Sequence, residues 1–182
     1  MTVIRTFIAI ELTEEARQAI TALQNRLKAN SPPHTVRWAA AQNIHLTLHF
    51  LGNLEAADVT KVRAALEQIA SRQQPFTLSL GQLGCFPNLR RPRIVWVGVW
   101  NRLKPLAELH AQLGQALQAA IGFTPETRPY APHLTIGRVK EGVPVQRLRQ
   151  FSQIMEREQA VAKLVDLPVT EISLIKRSED VV

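Results

Sequence analysis

Two short stretches of the chain hold the same residue types in the same order. Asn43-Ile44-His45-Leu46-Thr47-Leu48 and Ala131-Pro132-His133-Leu134-Thr135-Ile136 share a His-Leu-Thr-aliphatic core, with the two histidines 88 positions apart. Side chains of a strand alternate faces with period two. Read that way, His45, Thr47 and His49 share one face, and Ile44, Leu46, Leu48 and Phe50 share an apolar one. In the second stretch His133 and Thr135 face one way, Leu134 and Ile136 the other. Each stretch anchors itself in a core and offers one imidazole and one hydroxyl. Two imidazoles, ordinarily titrating near 6.5, can divide acid and base roles near neutral pH. Two threonine hydroxyls can donate hydrogen bonds to the non-bridging oxygens of a phosphate. If the stretches face each other across a groove, a phosphodiester fits between them. One neutral histidine takes a proton from attacking water, the other protonates the leaving oxygen, and the threonines steady the phosphoryl charge. This scheme requires no metal.

The elements that must position these groups follow from pattern. Val3 to Ile10 reads as a strand. Thr13 is the N-cap of a helix with Glu14 and Glu15 in its first turn and Ala16, Ile20, Leu23 and Leu27 on one face, ending at Asn30-Ser31-Pro32-Pro33. A short extended Val36–Trp38 precedes the Asn43–Leu51 strand, which Gly52-Asn53 breaks. Helices are predicted over 56–70, 103–121 and from Pro144 to about Glu158. Strands are predicted over 76–83, 94–100 and 133–139, and near 161–165 and 169–175. Strand pairs between helices argue an α+β fold with largely antiparallel sheets. No linker divides the chain, and the repeated motif suggests an internal duplication into two similar lobes within residues 1–182.

Composition sets outer limits. The 182 residues are 46 % hydrophobic and 20 % charged, which excludes a disordered chain. The strongly apolar run Ile94–Trp100 is far short of a membrane span, so no membrane association is expected. The N-terminus lacks the features of a signal peptide. A lone cysteine, Cys85, cannot form an intramolecular disulfide and reads as a small buried hydrophobe in a reducing, cytoplasmic setting. The +7 formal charge and pI near 10.3 suit a polyanionic partner.

The paired motifs resemble those of the 2H phosphoesterases, and most closely the LigT branch of RNA 2′,3′-cyclic phosphodiesterases, also called 2′-5′ RNA ligases. The likeness extends to Thr6-Phe7-Ile8-Ala9-Ile10, to Val36-Arg37-Trp38 ahead of the first motif, to Arg91–Gly98, and to Arg128-Pro129-Tyr130 leading into the second motif and Gly137-Arg138 beyond it. The resemblance implies two pseudo-symmetric lobes, with outer helices and a central cleft. It implies hydrolysis of an RNA 2′,3′-cyclic phosphate end, or a related nucleotide, to a 2′-phosphate. His45 would be the proton donor to the leaving 3′ oxygen, His133 the proton acceptor from water. Thr47 and Thr135 would bind the phosphate, and Arg138 matches an arginine that follows the second motif. By strict alternation Arg138 faces away from His133, so either the strand ends or bulges after Ile136 or the long side chain wraps round. The family commonly has an aromatic-containing stretch after the last strand, where this sequence reads Ile175-Lys176-Arg177-Ser178-Glu179-Asp180-Val181-Val182. No cofactor is implied, and a monomer is expected.

Three further readings complete the set. ATP-independent 2′-5′ joining is the same transfer with a 5′-hydroxyl in place of water. Hydrolysis of a small cyclic nucleotide diphosphate, and binding of a nucleotide or RNA without turnover, are the others. Phe7 is either strand core or a platform for a base beside the scissile phosphate. Arg90, Arg91 and Arg93 form a solvated basic turn or touch an RNA backbone. His34 and His110 are expected at the surface, and Trp38, Trp96 and Trp100 in the core. His49 invites a metal reading, but on a strand it lies about 13 Å from His45 and the two cannot share an ion.

Overall fold

Thr13 starts the first helix as its type predicts: its hydroxyl accepts from the Ala16 N–H at 3.2 Å, and Glu14 and Glu15 follow in the first turn. The computed structural model describes residues 4–159 and 163–178. In chain order these form β1 (Ile4–Glu11), α1 (Glu14–Asn30), β2 (Val36–Trp38), a 3-10 turn (Ala41–Asn43), β3 (His45–Asn53), α2 (Ala56–Ala70), β4 (Phe76–Phe86), β5 (Ile94–Trp100), α3 (Leu103–Ile121), β6 (His133–Val139), α4 (Val145–Glu158), β7 (Lys163–Val169) and β8 (Ser173–Ser178). Helix α3 ends at Gly122, whose φ of 66° lets its N–H reach back to the Gln118 carbonyl.

The strands make two antiparallel sheets, one ordered β3-β1-β8 and the other β2-β6-β5-β4-β7. The fold is the expected α+β arrangement. A continuous apolar core joins the helices to the inward faces of both sheets: Ile20, Leu23 and Leu27 of α1, Ile8, Ile10 and Leu46 of the first sheet, Leu80, Val95 and Val97 of the second, and Phe151 of α4 belong to it. Cys85 lies among them, and burial pushes its thiol up to about 12, so it is an inert core residue.

The C-terminal strands differ from expectation. Val169 closes β7 instead of opening the next strand, and β8 begins at Ser173. Pro168 reads as a break, yet β7 is an edge strand bonded only to β4, with Pro168 opposite Thr77. An edge tolerates a proline because one side of its ladder is unused. The expected strand start at Val161 and the last four residues lie outside the described residues.

Candidate active site

The first His-x-Thr segment lies on an edge strand of its sheet, and the second on a strand that a short neighbour covers only in part. Strand β3 is the edge of its sheet, paired only with β1. Strand β6 lies inside its sheet, but β2 is three residues long and pairs only with Gly137–Val139, which leaves His133–Thr135 without a β2 partner on that side. The two strands come alongside one another there, with Cα–Cα separations within 8 Å. The Tyr130 hydroxyl, three residues before His133, donates to the Thr47 carbonyl at 2.9 Å and ties one motif to the other.

Both strands carry a one-residue bulge at the same place in the motif. Along β3, Thr47 pairs with Ala9 and His49 with Ile8, so Leu48 is the extra residue. Along β6, Thr135 pairs with Trp96 and Gly137 with Val95, so Ile136 is the extra residue. A bulge reverses the alternation that follows it. Residues opposite each other share a face, so His45, Thr47 and Phe50 share the face of Glu11, Ala9 and Phe7. On β6, His133, Thr135 and Arg138 share the face of Gly98, Trp96 and Ile94. Arg138 therefore stands beside the second His-Thr pair, as a bulge after Thr135 requires.

The first bulge overturns two expectations. His49 turns away from His45 into the interior, where it is buried. Phe50 turns out and is 64 % exposed, within 6.0 Å of the Phe7 ring. His110 is not a surface residue either. It is half-buried in a stack of rings, 4.1 Å from His49 and 4.0 Å from Tyr130. The His49 Nε2–H donates to the His110 carbonyl at 2.8 Å, and the His110 ring bonds the Leu48 carbonyl. Burial and the adjacent His49 hold His110 down to about 4, and burial also lowers His49, so both are neutral at pH 7. The second bulge has its own support. Gln24, buried on the apolar stripe of α1, donates both amide hydrogens, to the Ile136 carbonyl at 2.8 Å and to the Ala39 carbonyl at 2.9 Å. Gln24 was legible only as a polar residue breaking a helical apolar stripe.

Each motif histidine leans on a phenylalanine. His45 stacks on Phe7 at 4.5 Å, and Phe7 is only 5 % exposed. The Phe86 edge meets His133 at 4.9 Å. The His133 Nδ1 is 2.8 Å from the Ala131 carbonyl. A carbonyl only accepts, so Nδ1 carries the proton, and the neutral ring keeps its lone pair on Nε2. Trp96 is half-buried on the same face and lies flat over Gly84, where a Cβ would come within 2.1 Å of its ring. His45 borders a cavity of about 180 Å³ lined also by Glu11, Asn43, Ile175 and Lys176. A larger depression of about 710 Å³ lies between α1 and the 3-10 turn and includes neither motif histidine. Among the described residues no group of three or more His, Cys, Asp or Glu side chains is arranged to hold a metal ion. Among them, too, no helix is long and apolar enough to cross a membrane. Arg90, Arg91 and Arg93 are exposed, their turn held by the Asn88 carboxamide oxygen, which accepts from the Arg90 and Arg91 N–H groups at 3.0 Å. His34 is exposed as expected.

The profile of LigT-like phosphoesterases matches residues 10–96 and 101–181. The chain belongs to the LigT-like phosphoesterase family. A relative from Methanothermobacter thermautotrophicus, named RNA 2′,3′-cyclic phosphodiesterase, is 34 % identical over 176 residues, which cover 97 % of this chain and 90 % of that protein. A Geobacillus stearothermophilus protein of the same name is 36 % identical over 136 residues, covering 75 % of this chain but 42 % of its own length. Among solved structures, E. coli LigT complexed with 3′-AMP is similar at a TM-score of 0.68 and 30 % identity, over 96 % of this chain and 88 % of that one. The α+β, two-sheet LigT-like fold is therefore the fold of this chain.

Proposed function

We propose that this LigT-like phosphoesterase hydrolyses RNA 2′,3′-cyclic phosphate ends to 2′-phosphates by paired-histidine acid–base catalysis without a metal, within a cleft between two lobes of one folding unit. The observation that carries this reading is the approach of two His-x-Thr strands, one from each sheet, joined by the Tyr130 hydroxyl on the Thr47 carbonyl. His133 is the base: with Nδ1–H bound to the Ala131 carbonyl, Nε2 takes a proton from the attacking water. The new P–O bond forms as the bond to the 3′ oxygen breaks, and protonated His45 gives that oxygen its proton. Thr47, Thr135 and Arg138 hold the phosphoryl oxygens, Arg138 having been returned to that face by the Ile136 bulge. Phe7 is covered by His45 and supports it from below, so the exposed Phe50 ring beside it is the platform for the terminal base. The names of the relatives, and the nucleotide bound by E. coli LigT, support this substrate class.

The test is turnover of an oligoribonucleotide ending in a 2′,3′-cyclic phosphate, measured in excess EDTA. The wild type is expected to release the 2′-phosphate at an undiminished rate. His45→Ala and His133→Ala are each expected to lose ~10²–10⁴ in kcat, the worth of one proton transfer. Chelator-sensitive activity, or an active His45→Ala, overturns the mechanism. The same assay with a 5′-hydroxyl RNA in place of water as acceptor measures the 2′-5′ joining reaction.

A further inference from the structure

The Ile136 bulge creates a second arrangement, one that the acid–base scheme does not use. Arg37 of β2 lies directly opposite Arg138 of β6 on the ladder, so the two guanidinium side chains leave the same face of the sheet. That is the face of Thr135 and His133, because Arg138 is also opposite Ile94, and Thr135 opposite Trp96, two positions along β5. Like charges placed directly opposite each other weaken a ladder. Both arginines are exposed, and among the described residues no carboxylate lies within 4.0 Å of either. Backbone contacts hold the pair in place. The Ala39 N–H donates to the Ile136 carbonyl at 3.0 Å, and the Lys140 N–H to the Thr35 carbonyl at 2.9 Å, on either side of the Arg37–Arg138 rung. From Thr135, Arg138 is about 7 Å along the strand and Arg37 about 5 Å to its side, by ordinary sheet spacings. Two like charges on one rung, without a carboxylate counter-ion and two ladder positions from Thr135, suit an anion that arrives with the substrate.

We infer that Arg37 is a substrate-binding residue for the phosphodiester on the 5′ side of the terminal nucleotide, and that the site takes an RNA chain end in preference to an isolated nucleoside cyclic phosphate. This rests on the cyclic-phosphate reading above and specifies the substrate of the same site. Arg138 stands between the two phosphates. The scissile one belongs to His45, His133 and the threonines, and the upstream one is held by Arg37. Guanidinium forks bind phosphate oxygens two at a time, which suits this role better than a lysine's single ammonium.

Three substrates separate the possibilities: a nucleoside 2′,3′-cyclic phosphate, the same compound bearing a 5′-phosphate, and an oligoribonucleotide with that terminus. Arg37→Gln is expected to lower the ratio of kcat/KM on the oligonucleotide to kcat/KM on the bare nucleoside cyclic phosphate by about tenfold, the worth of one charge-assisted contact. The 5′-phosphorylated monomer should fall with the oligonucleotide, and Arg37→Lys should restore part of the ratio. In fluorescence anisotropy with an oligoribonucleotide ending in a 2′-phosphate, Arg37→Gln should reduce the slope of log Kd against log salt by about 0.7, one phosphate contact on a single strand. An unchanged ratio and an unchanged salt slope overturn the inference, as does an equal loss on all three substrates. If the wild type turns over none of them, the cyclic-phosphate reading fails, and the salt slope still decides whether Arg37 binds the chain.

Discussion

At the residue scale, the histidines divide by environment and not by type. His133 is accessible at the surface of its sheet with its Nδ1 proton fixed on a carbonyl, whereas His110 is stacked between His49 and Tyr130 and kept neutral by burial. The buried pair has a consequence for stability. In the unfolded chain His110 takes a proton near its ordinary 6.5; in the folded chain it resists until about 4. Between these values the unfolded state binds more protons, so stability falls as pH drops from about 6.5 to about 4 and is complete above that window. The lowered His49 acts in the same direction. Urea midpoints measured from pH 7 to pH 4 should decline, and His110→Gln should flatten the decline. A slope unaltered by that substitution would place the sensitive group elsewhere.

At the scale of elements, two bulges do what ideal strands cannot. An unbroken β3 would put His49 on the face of His45 and Phe50 in the core; an unbroken β6 would turn Arg138 away from Thr135. Each bulge is held by a side chain from a helix. The His110 ring of α3 bonds the Leu48 carbonyl, and Gln24 of α1 bonds the Ile136 carbonyl. Gln24→Leu fits the apolar stripe but leaves the Ala39 carbonyl without its 2.9 Å donor and removes one of the two donors from Ile136. We expect it to cost about 1–3 kcal/mol in urea unfolding, the price of a buried polar group left unpaired. Activity on cyclic-phosphate RNA should fall with it, because the bulge sets the direction of Arg138. Full stability in this variant would show that Gln24 does not support the bulge.

At the scale of the whole molecule, the proposed mechanism requires that the two motif strands, one from each sheet, be held in register. The Tyr130 hydroxyl spans that junction to the Thr47 carbonyl, and burial pushes the phenol up, so it stays protonated and donating. Removing this one hydroxyl leaves the ring stack in place. Tyr130→Phe is expected to lower kcat about tenfold while changing unfolding free energy by about 1 kcal/mol, the net worth of a typical hydrogen bond. Steady-state kinetics beside a urea titration checks both. Equal kcat in the variant would mean that the junction is set by backbone packing alone.

The sequence by itself determined the elements and the chemistry they offer. Helix α1 has its Thr13 cap, the helices have apolar stripes, the strands have β-branched and apolar runs, and the two His-Leu-Thr segments share identical residues at identical spacing. These are local properties, decided within a few residues by backbone sterics and by the period of the element. Tertiary structure decided the rest. Whether Phe7 lies under a histidine or open to a base, whether Phe50 or His49 shares the face of His45, and that Arg37 finds itself opposite Arg138 depend on register between strands far apart in the chain. Register is set by hydrogen bonds to distant partners, and one extra residue in a ladder reverses every side chain beyond it.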